Sequence, residues 1–338
     1  MEYSPNGHRP LAAGSRLPLL IENDRANCDI VEYAGGRKQQ IIDLLLRHGA
    51  ILFRGFNVDQ STFCEFVDSL SGGRLDYTYR STPRTRVANK LFTTTVYRAD
   101  REIPLHCENA YQRDWPMLLA FYCVQPALKG GETPLADVSR VTERIGPQLL
   151  EQFRRRGVCY IRNYAAGIDL PWTEVFQTES RTEVEQFCAA HDIKFAWGQG
   201  NSLRTMQVCQ GTAIHPKRGV ELWFNQAHLF HISSLGHEIA QDMIDAFGLE
   251  GLPRNAVYGD GQAIASRDLE LIRNAFENEA ITFDWRERDV LLVDNMQVAH
   301  GRRSYVGPRK VLIAMSDPCS ANLRNSRGPA LQKGSMNA

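Results

Sequence analysis

The strongest constraint on this chain is a set of three possible metal donors far apart in sequence. His106 and Glu108 lie in Ile103-Pro104-Leu105-His106-Cys107-Glu108-Asn109, and His300 follows 300 − 106 = 194 residues later. Alternate residues of a β-strand point to one face, so an imidazole and a carboxylate can reach one ion from the first segment. His300 sits in a second strand-like run, Asp294-Asn295-Met296-Gln297-Val298-Ala299-His300-Gly301-Arg302. A fold that uses all three must lay these segments side by side. Two His and one carboxylate on one face of an ion leave its other positions open, the donor set of non-haem Fe(II) oxygenases. Zinc hydrolases draw on the same residue types. A His-x-Glu pair alone is common surface chemistry, so its surroundings decide.

Those surroundings contain Gly130-Gly131-Glu132-Thr133-Pro134 and, after His300, Gly301-Arg302-Arg303-Ser304-Tyr305-Val306-Gly307-Pro308-Arg309. A zinc hydrolase has no use for these blocks. Arginine's planar fork, by contrast, matches a carboxylate bidentately. With His48-Gly49-Ala50-Ile51-Leu52-Phe53-Arg54-Gly55-Phe56 and the run from Asp289 through His300 to Arg309, they cover residues 40–316.

In these blocks the chain resembles the TauD/TfdA (taurine dioxygenase-like) family of Fe(II)- and 2-oxoglutarate-dependent dioxygenases. The resemblance implies iron held by His106, Glu108 and His300, with O2 and 2-oxoglutarate as co-substrates. It implies Arg309 as the anchor of the 2-oxoglutarate carboxylate and Thr133 as a hydrogen-bond partner of the same group; Arg302 and Arg303 are the neighbouring alternatives. It also implies a mostly β fold with flanking helices, a double-stranded β-helix or jelly-roll, interrupted by a long insertion between Thr133 and the His300 strand that covers the site. Many members carry Asp where this chain has Glu108; amino-acid hydroxylases related to clavaminate synthase carry Glu. An intact carboxylate argues for hydroxylation over halogenation.

The expected activity is therefore hydroxylation of an unactivated C–H bond of an amino acid or amino-acid derivative. The substrate is free or presented on a peptide-synthetase carrier protein, in bacterial specialised-metabolite (antibiotic) biosynthesis. The alternatives are the same cofactors acting on another small acid or in desaturation or cyclisation, and an inactive jelly-roll that only binds. Candidate substrate contacts are Asn109, Asn225 and Arg113, with Arg54 and Arg204 as further carboxylate partners. His228 and His231, in Trp223-Phe224-Asn225-Gln226-Ala227-His228-Leu229-Phe230-His231, are expected to be structural, His215 is ambiguous, and Asp294-Asn295 is a candidate for orienting the His300 strand.

Composition agrees with this reading. Lys plus Arg equals Asp plus Glu at 39 each, so no broad basic surface is available for nucleic acid or an anionic membrane. The eight cysteines form no CxxC pair, and no apolar run approaches a membrane span. Reduced thiols and a cytoplasmic location are expected.

Local patterns predict helices over 39–48 (stopped by Gly49), 62–70, 141–156, 181–191 (with Ser180 as N-cap and Glu183 completing a capping box) and 237–247. They predict strands over 50–54, 118–124, 203–214, 220–224, 289–298 and 310–315. The organisation expected is one domain over 16–317 with mobile ends at 1–15 and 318–338.

Overall fold

A computed structural model describes residues 8–11, 15–24, 28–77, 79, 81–82, 84–94, 97–164 and 169–321. Its centre is an eight-stranded sheet in which Ala50–Arg54, Val290–Asp294, Asp114–Gln125 and Lys310–Ser320 lie side by side. All these neighbours pair antiparallel, while Leu19–Glu22 runs parallel to Ala50–Arg54. These strands are apolar along both faces because both faces are covered. Ile51, Phe53, Ala120, Tyr122, Leu292 and Leu312 pack outward against helices Lys38–His48 and Gln60–Leu70. Leu52, Leu119, Phe121, Leu291, Val293 and Ile313, one residue out of step, pack inward with Leu135, Val298 and Trp285. The period of two thus separates two dry layers.

The inward layer faces a three-stranded sheet, Ile103–His106, Val298–Arg302 and Leu135–Asp137. Together the sheets make the expected jelly-roll. The strand predicted over 289–298 is broken in the structure. The Asp294 carboxylate accepts from the Met296 and Gln297 amides at 3.1 and 3.2 Å, an Asx-type turn. That turn carries the chain from the large sheet into the small one.

The insertion occupies the chain between Asp137 and Val290. It has its own four-stranded sheet, ordered Lys194–Trp197, Leu203–Cys209, Val158–Tyr164 and Arg254–Tyr258. Three of these strands, Lys194–Trp197, Val158–Tyr164 and Arg254–Tyr258, and helix Ser266–Asn278 were absent from the expected pattern. The helix predicted over 141–156 is two helices, Val138–Ile145 and Pro147–Arg156, because Gly146 takes φ 80 and Pro147 has no amide hydrogen to continue the ladder. Ser180 caps Arg181–Ala190 by accepting from the Glu183 amide, but the Glu183 carboxylate bonds Thr178, so the box is half formed.

His8–Pro10 pairs with Leu19–Ile21, and Lys310–Ser320 continues past residue 317, with Pro318–Ser320 opposite Pro116–Asp114. Backbone pairing orders both segments; residues 1–7, 12–14 and 322–338 lie outside the described residues. All eight cysteines are free thiols, as expected. Among the described residues no helix is long and apolar enough to cross a membrane.

Candidate metal centre

The small sheet brings the donors together by register: His300 is paired directly opposite His106. Gly301 permits the close approach, since a Cβ there would stand 2.6 Å from the Ile103 carbonyl oxygen. One donor atom from each of His106, Glu108 and His300 lies within 4.8 Å of the others. Glu108 does not reach the cluster through strand alternation, as the spacing suggested. The strand ends at His106, and Glu108 stands in the following turn, which Asn109 closes with φ 58. Asn295 holds that turn. Its Oδ1 accepts from the Glu108 amide at 2.7 Å, while Nδ2 donates to the Glu108 and Pro116 carbonyls at 2.9 and 2.8 Å. Asn295 therefore positions Glu108 rather than the His300 strand. Asp294 instead takes His215 Nε2 at 2.9 Å, which gives that buried histidine a structural role.

The protonation states suit a cation. Loss of solvent, reinforced by neighbouring His300, lowers His106 to about 4, leaving a neutral imidazole. Its Nδ1 lies 2.8 Å from the Pro104 carbonyl, so Nε2 carries the lone pair toward the cluster. Burial pushes the Glu108 carboxyl up. The Arg84 charge, helped by His300 and His106 beside it, outweighs that push and holds it well below the usual carboxylate range. His300 Nε2 stands 3.7 Å from Glu108 Oε2, and the ring meets Phe121 edge-on at 5.2 Å. The neutral His106 lone pair beside an ionised Glu108 carboxylate is what a divalent metal requires, and His300 adds a third donor, so the residues fit Fe(II).

A second cluster adjoins this one. The Gly130-Gly131 turn pairs with Tyr305–Val306, and a Cβ on Gly131 (φ +75) would come within 3.0 Å of Arg309 Cδ. The glycine thus lets the Arg309 side chain pass, which explains why the two motifs occur together. Arg309 donates from Nε to the Gly131 carbonyl at 2.8 Å. Burial, then neighbouring Arg302, lowers it to about 10, still charged at neutral pH. Arg302 is engaged by the Tyr97, Arg98 and Arg101 carbonyls, and Arg303 by Glu102 and Glu277. Buried Thr133 accepts from Trp285 Nε1 at 3.0 Å, so its own hydroxyl hydrogen is free to donate elsewhere.

Several of the expected substrate contacts have protein partners. Arg113 bonds the Val208 carbonyl and Asp192, Arg204 pairs with Glu250, and Arg54 forms a buried two-pronged pair with Asp289. Asn225 is satisfied by the Gly211 carbonyl and the Ala227 amide. The Trp223–His231 stretch instead supports the Glu108 turn. Gln226 donates to the Cys107 carbonyl at 2.6 Å, and His228 Nε2 lies 3.2 Å from the Leu105 carbonyl. Asn109 remains a candidate: it is buried and its Oδ1 has no hydrogen-bond partner among the described residues. Cys107 packs, as expected, its thiol pushed up by burial.

Arg84 and Trp285 escaped the sequence reading. Arg84 lies in no periodic segment, yet its Nη2 donates to Glu108 Oε2 at 2.6 Å with both side chains 4% exposed. Trp285 sits in the chain leading back from the insertion, and nothing local marks it as Thr133's donor.

Comparison with known proteins places this geometry in a family. The model of the family described as "Taurine catabolism dioxygenase TauD, TfdA family" matches residues 13–315. The chain is 40% identical over 311 residues to the dapdiamide synthesis protein DdaC of Enterobacter agglomerans, covering 92% of this chain and 94% of that one. It is 30% identical over 327 residues to a clavaminate synthase-like protein of Arabidopsis thaliana, covering 92% and 91%. Among solved structures, PvcB, an Fe, alpha-ketoglutarate dependent oxygenase from an isonitrile synthetic pathway, shares the fold, with TM-score 0.53, 16% identity and 93% coverage of each chain.

Proposed function

Because the chain belongs to the TauD/TfdA family of dioxygenases, enzymes that use Fe(II), 2-oxoglutarate and O2, we propose that it hydroxylates an unactivated C–H bond of an amino acid or amino-acid derivative, free or carrier-bound, in specialised metabolism. The observation that carries the chemistry is the convergence of His106, Glu108 and His300 within 4.8 Å. The similarity to a dapdiamide synthesis protein supports the pathway class.

In this reading His106 Nε2, the Glu108 carboxylate and His300 hold the metal from one side. Fe(II) bound there would activate O2 for C–H oxidation, with 2-oxoglutarate as the co-substrate oxidised to succinate and carbon dioxide. Arg309 offers its terminal guanidinium edge, and Thr133 its hydroxyl hydrogen, to the distal carboxylate of 2-oxoglutarate. Trp285 orients Thr133 by occupying its acceptor lone pair. Asn295 keeps Glu108 in place, and the insertion, through Gln226 and His228, backs the turn and excludes water.

The test is anaerobic titration of Fe(II)-loaded protein with 2-oxoglutarate, following the visible charge-transfer band of the chelate. The wild type should show the band, His300→Ala should lose it, and Arg309→Ala should need much more 2-oxoglutarate. Folded, iron-loaded wild type without a band would sink the reading. Turnover of amino acids and their carrier-mimic thioesters, with mass detection of one added oxygen atom, tests the substrate class.

A further inference from the structure

Arg84 is buried against the metal cluster with unused hydrogen-bonding capacity. Its Nη2 is committed to Glu108 and its guanidinium lies 4.6 Å from the Tyr77 ring centre. Its Nε and Nη1 are buried and have no hydrogen-bond partner among the described residues. Leaving buried donors of a charged group unpaired is costly, and native structures seldom tolerate it without a functional partner. One residue beyond Glu108, Asn109 presents the opposite case, a buried acceptor oxygen without a donor.

Charge points the same way. A divalent ion with Glu108, Arg84 and Arg309 carries more positive charge than dianionic 2-oxoglutarate neutralises, even before buried Arg302 is counted. Buried charge needs compensation, and a monoanion beside Arg84 would supply it.

Resting on the function proposed above, we infer that Arg84 receives one oxygen of the free α-carboxylate of an amino-acid substrate through an unpaired donor, Nε or Nη1, and that Asn109 Oδ1 accepts from its amino group. Unpaired donors on Arg84, the partner of Glu108, and an unpaired acceptor on Asn109, the residue after Glu108, suit the carboxylate and amino groups of an α-amino acid. The substrate is then the free acid, because a carrier thioester has no α-carboxylate to give. Arg84 binds substrate and positions Glu108 at once.

The experiment uses the full-length Fe(II)–2-oxoglutarate complex under anaerobic conditions. The probes are the twenty protein L-amino acids, their primary amides, and their N-acetylcysteamine thioesters, detected by perturbation of the chelate band. Free acids should perturb the band in preference to amides and thioesters. Arg84→Gln should weaken the best acid roughly 10- to 150-fold, the loss of charge-assisted hydrogen bonds. Arg84→Lys should fall between, and Asn109→Ala should weaken binding by less, roughly 2- to 10-fold. Equal response to acids and amides, or unchanged binding in Arg84→Gln, overturns the inference. Response to thioesters alone overturns it too, but leaves the hydroxylase reading standing in its carrier-bound form. A wild-type chelate that answers none of the probes overturns both. If Arg84→Gln loses the 2-oxoglutarate band, Arg84→Lys decides: unchanged preference for acids over amides there supports the role, and its loss with unaltered acid affinity overturns it.

Discussion

In the jelly-roll, Leu118–Cys123 and Val290–Val293 deliver alternate side chains to two dry layers, and the small sheet packed on them sets His300 opposite His106. The insertion reaches the same site differently. Gln210 donates to the Ala110 and Gln112 carbonyls, Gln226 to the Cys107 carbonyl, and His228 meets the Leu105 carbonyl. The first region sets donor positions by apolar burial, which is non-directional but strong in sum. The second holds the backbone behind Glu108 by a few directional polar contacts, each modest alone. It follows that damage to the frame should abolish the centre, while damage to the insertion should loosen it.

The largest effect is expected at His300. His300→Ala removes a donor from the small sheet, so the chelate band should vanish although the apolar layers, and hence thermal stability, change little. Asn295→Ala comes next. It strips partners from the Glu108 amide and from the Glu108 and Pro116 carbonyls, at a cost on the order of 3 kcal/mol. Iron affinity should drop roughly 10- to 100-fold, and both changes are measurable by calorimetry and metal titration. Undiminished stability in this variant would mean that the turn is held by packing instead.

Acid should weaken both regions, since His106 in the frame is lowered to about 4. Burial, then Arg273, lowers His231 in the insertion to about 4, and burial lowers His228 to about 3. Between those values and an unfolded value near 6.5 the unfolded state binds more protons. Stability is therefore fully present above about 6.5 and declines as pH falls toward 4. His231→Asn should flatten that decline in a urea-unfolding series from neutral to acid pH; an unaltered slope would assign the acid sensitivity elsewhere. Gly131→Ala is a smaller change within the frame. Its left-handed backbone costs a side chain about 1–2 kcal/mol, and the added methyl group crowds Arg309, so 2-oxoglutarate affinity should fall several-fold. Smallest is Gln226→Ala, which removes one hydrogen bond to the Cys107 carbonyl and should cost about 1 kcal/mol while leaving the band in place.

Much of the frame was legible locally. Ala50–Arg54, the Lys38–His48 helix ending at Gly49, and the long apolar strand through Leu118–Val124 follow from hydrophobic period and a glycine stop. Less legible were the break at Gly146-Pro147 and the turn at Asp294, where one carboxylate diverts an apolar run that otherwise reads as continuous strand. The polar pair Arg162-Asn163 obscured the Val158–Tyr164 strand, whose arginine is buried beside the Tyr79 and Tyr164 rings.

The sequence by itself determined the donor types, the presence of the Gly-Gly-x-Thr and arginine motifs, and the family, because residue identity and spacing are local properties that chemistry restricts sharply. Only the tertiary structure decided that Glu108 comes from a turn clamped by Asn295, that Trp285 frees the Thr133 proton, that Arg54, Arg113 and Arg204 are engaged elsewhere, and that Arg84 stands beside the ligand carboxylate. Each of these depends on contacts between segments far apart in the chain. A guanidinium or an amide has the same identity whether it meets solvent, a backbone carbonyl or a buried carboxylate, and packing alone selects the partner.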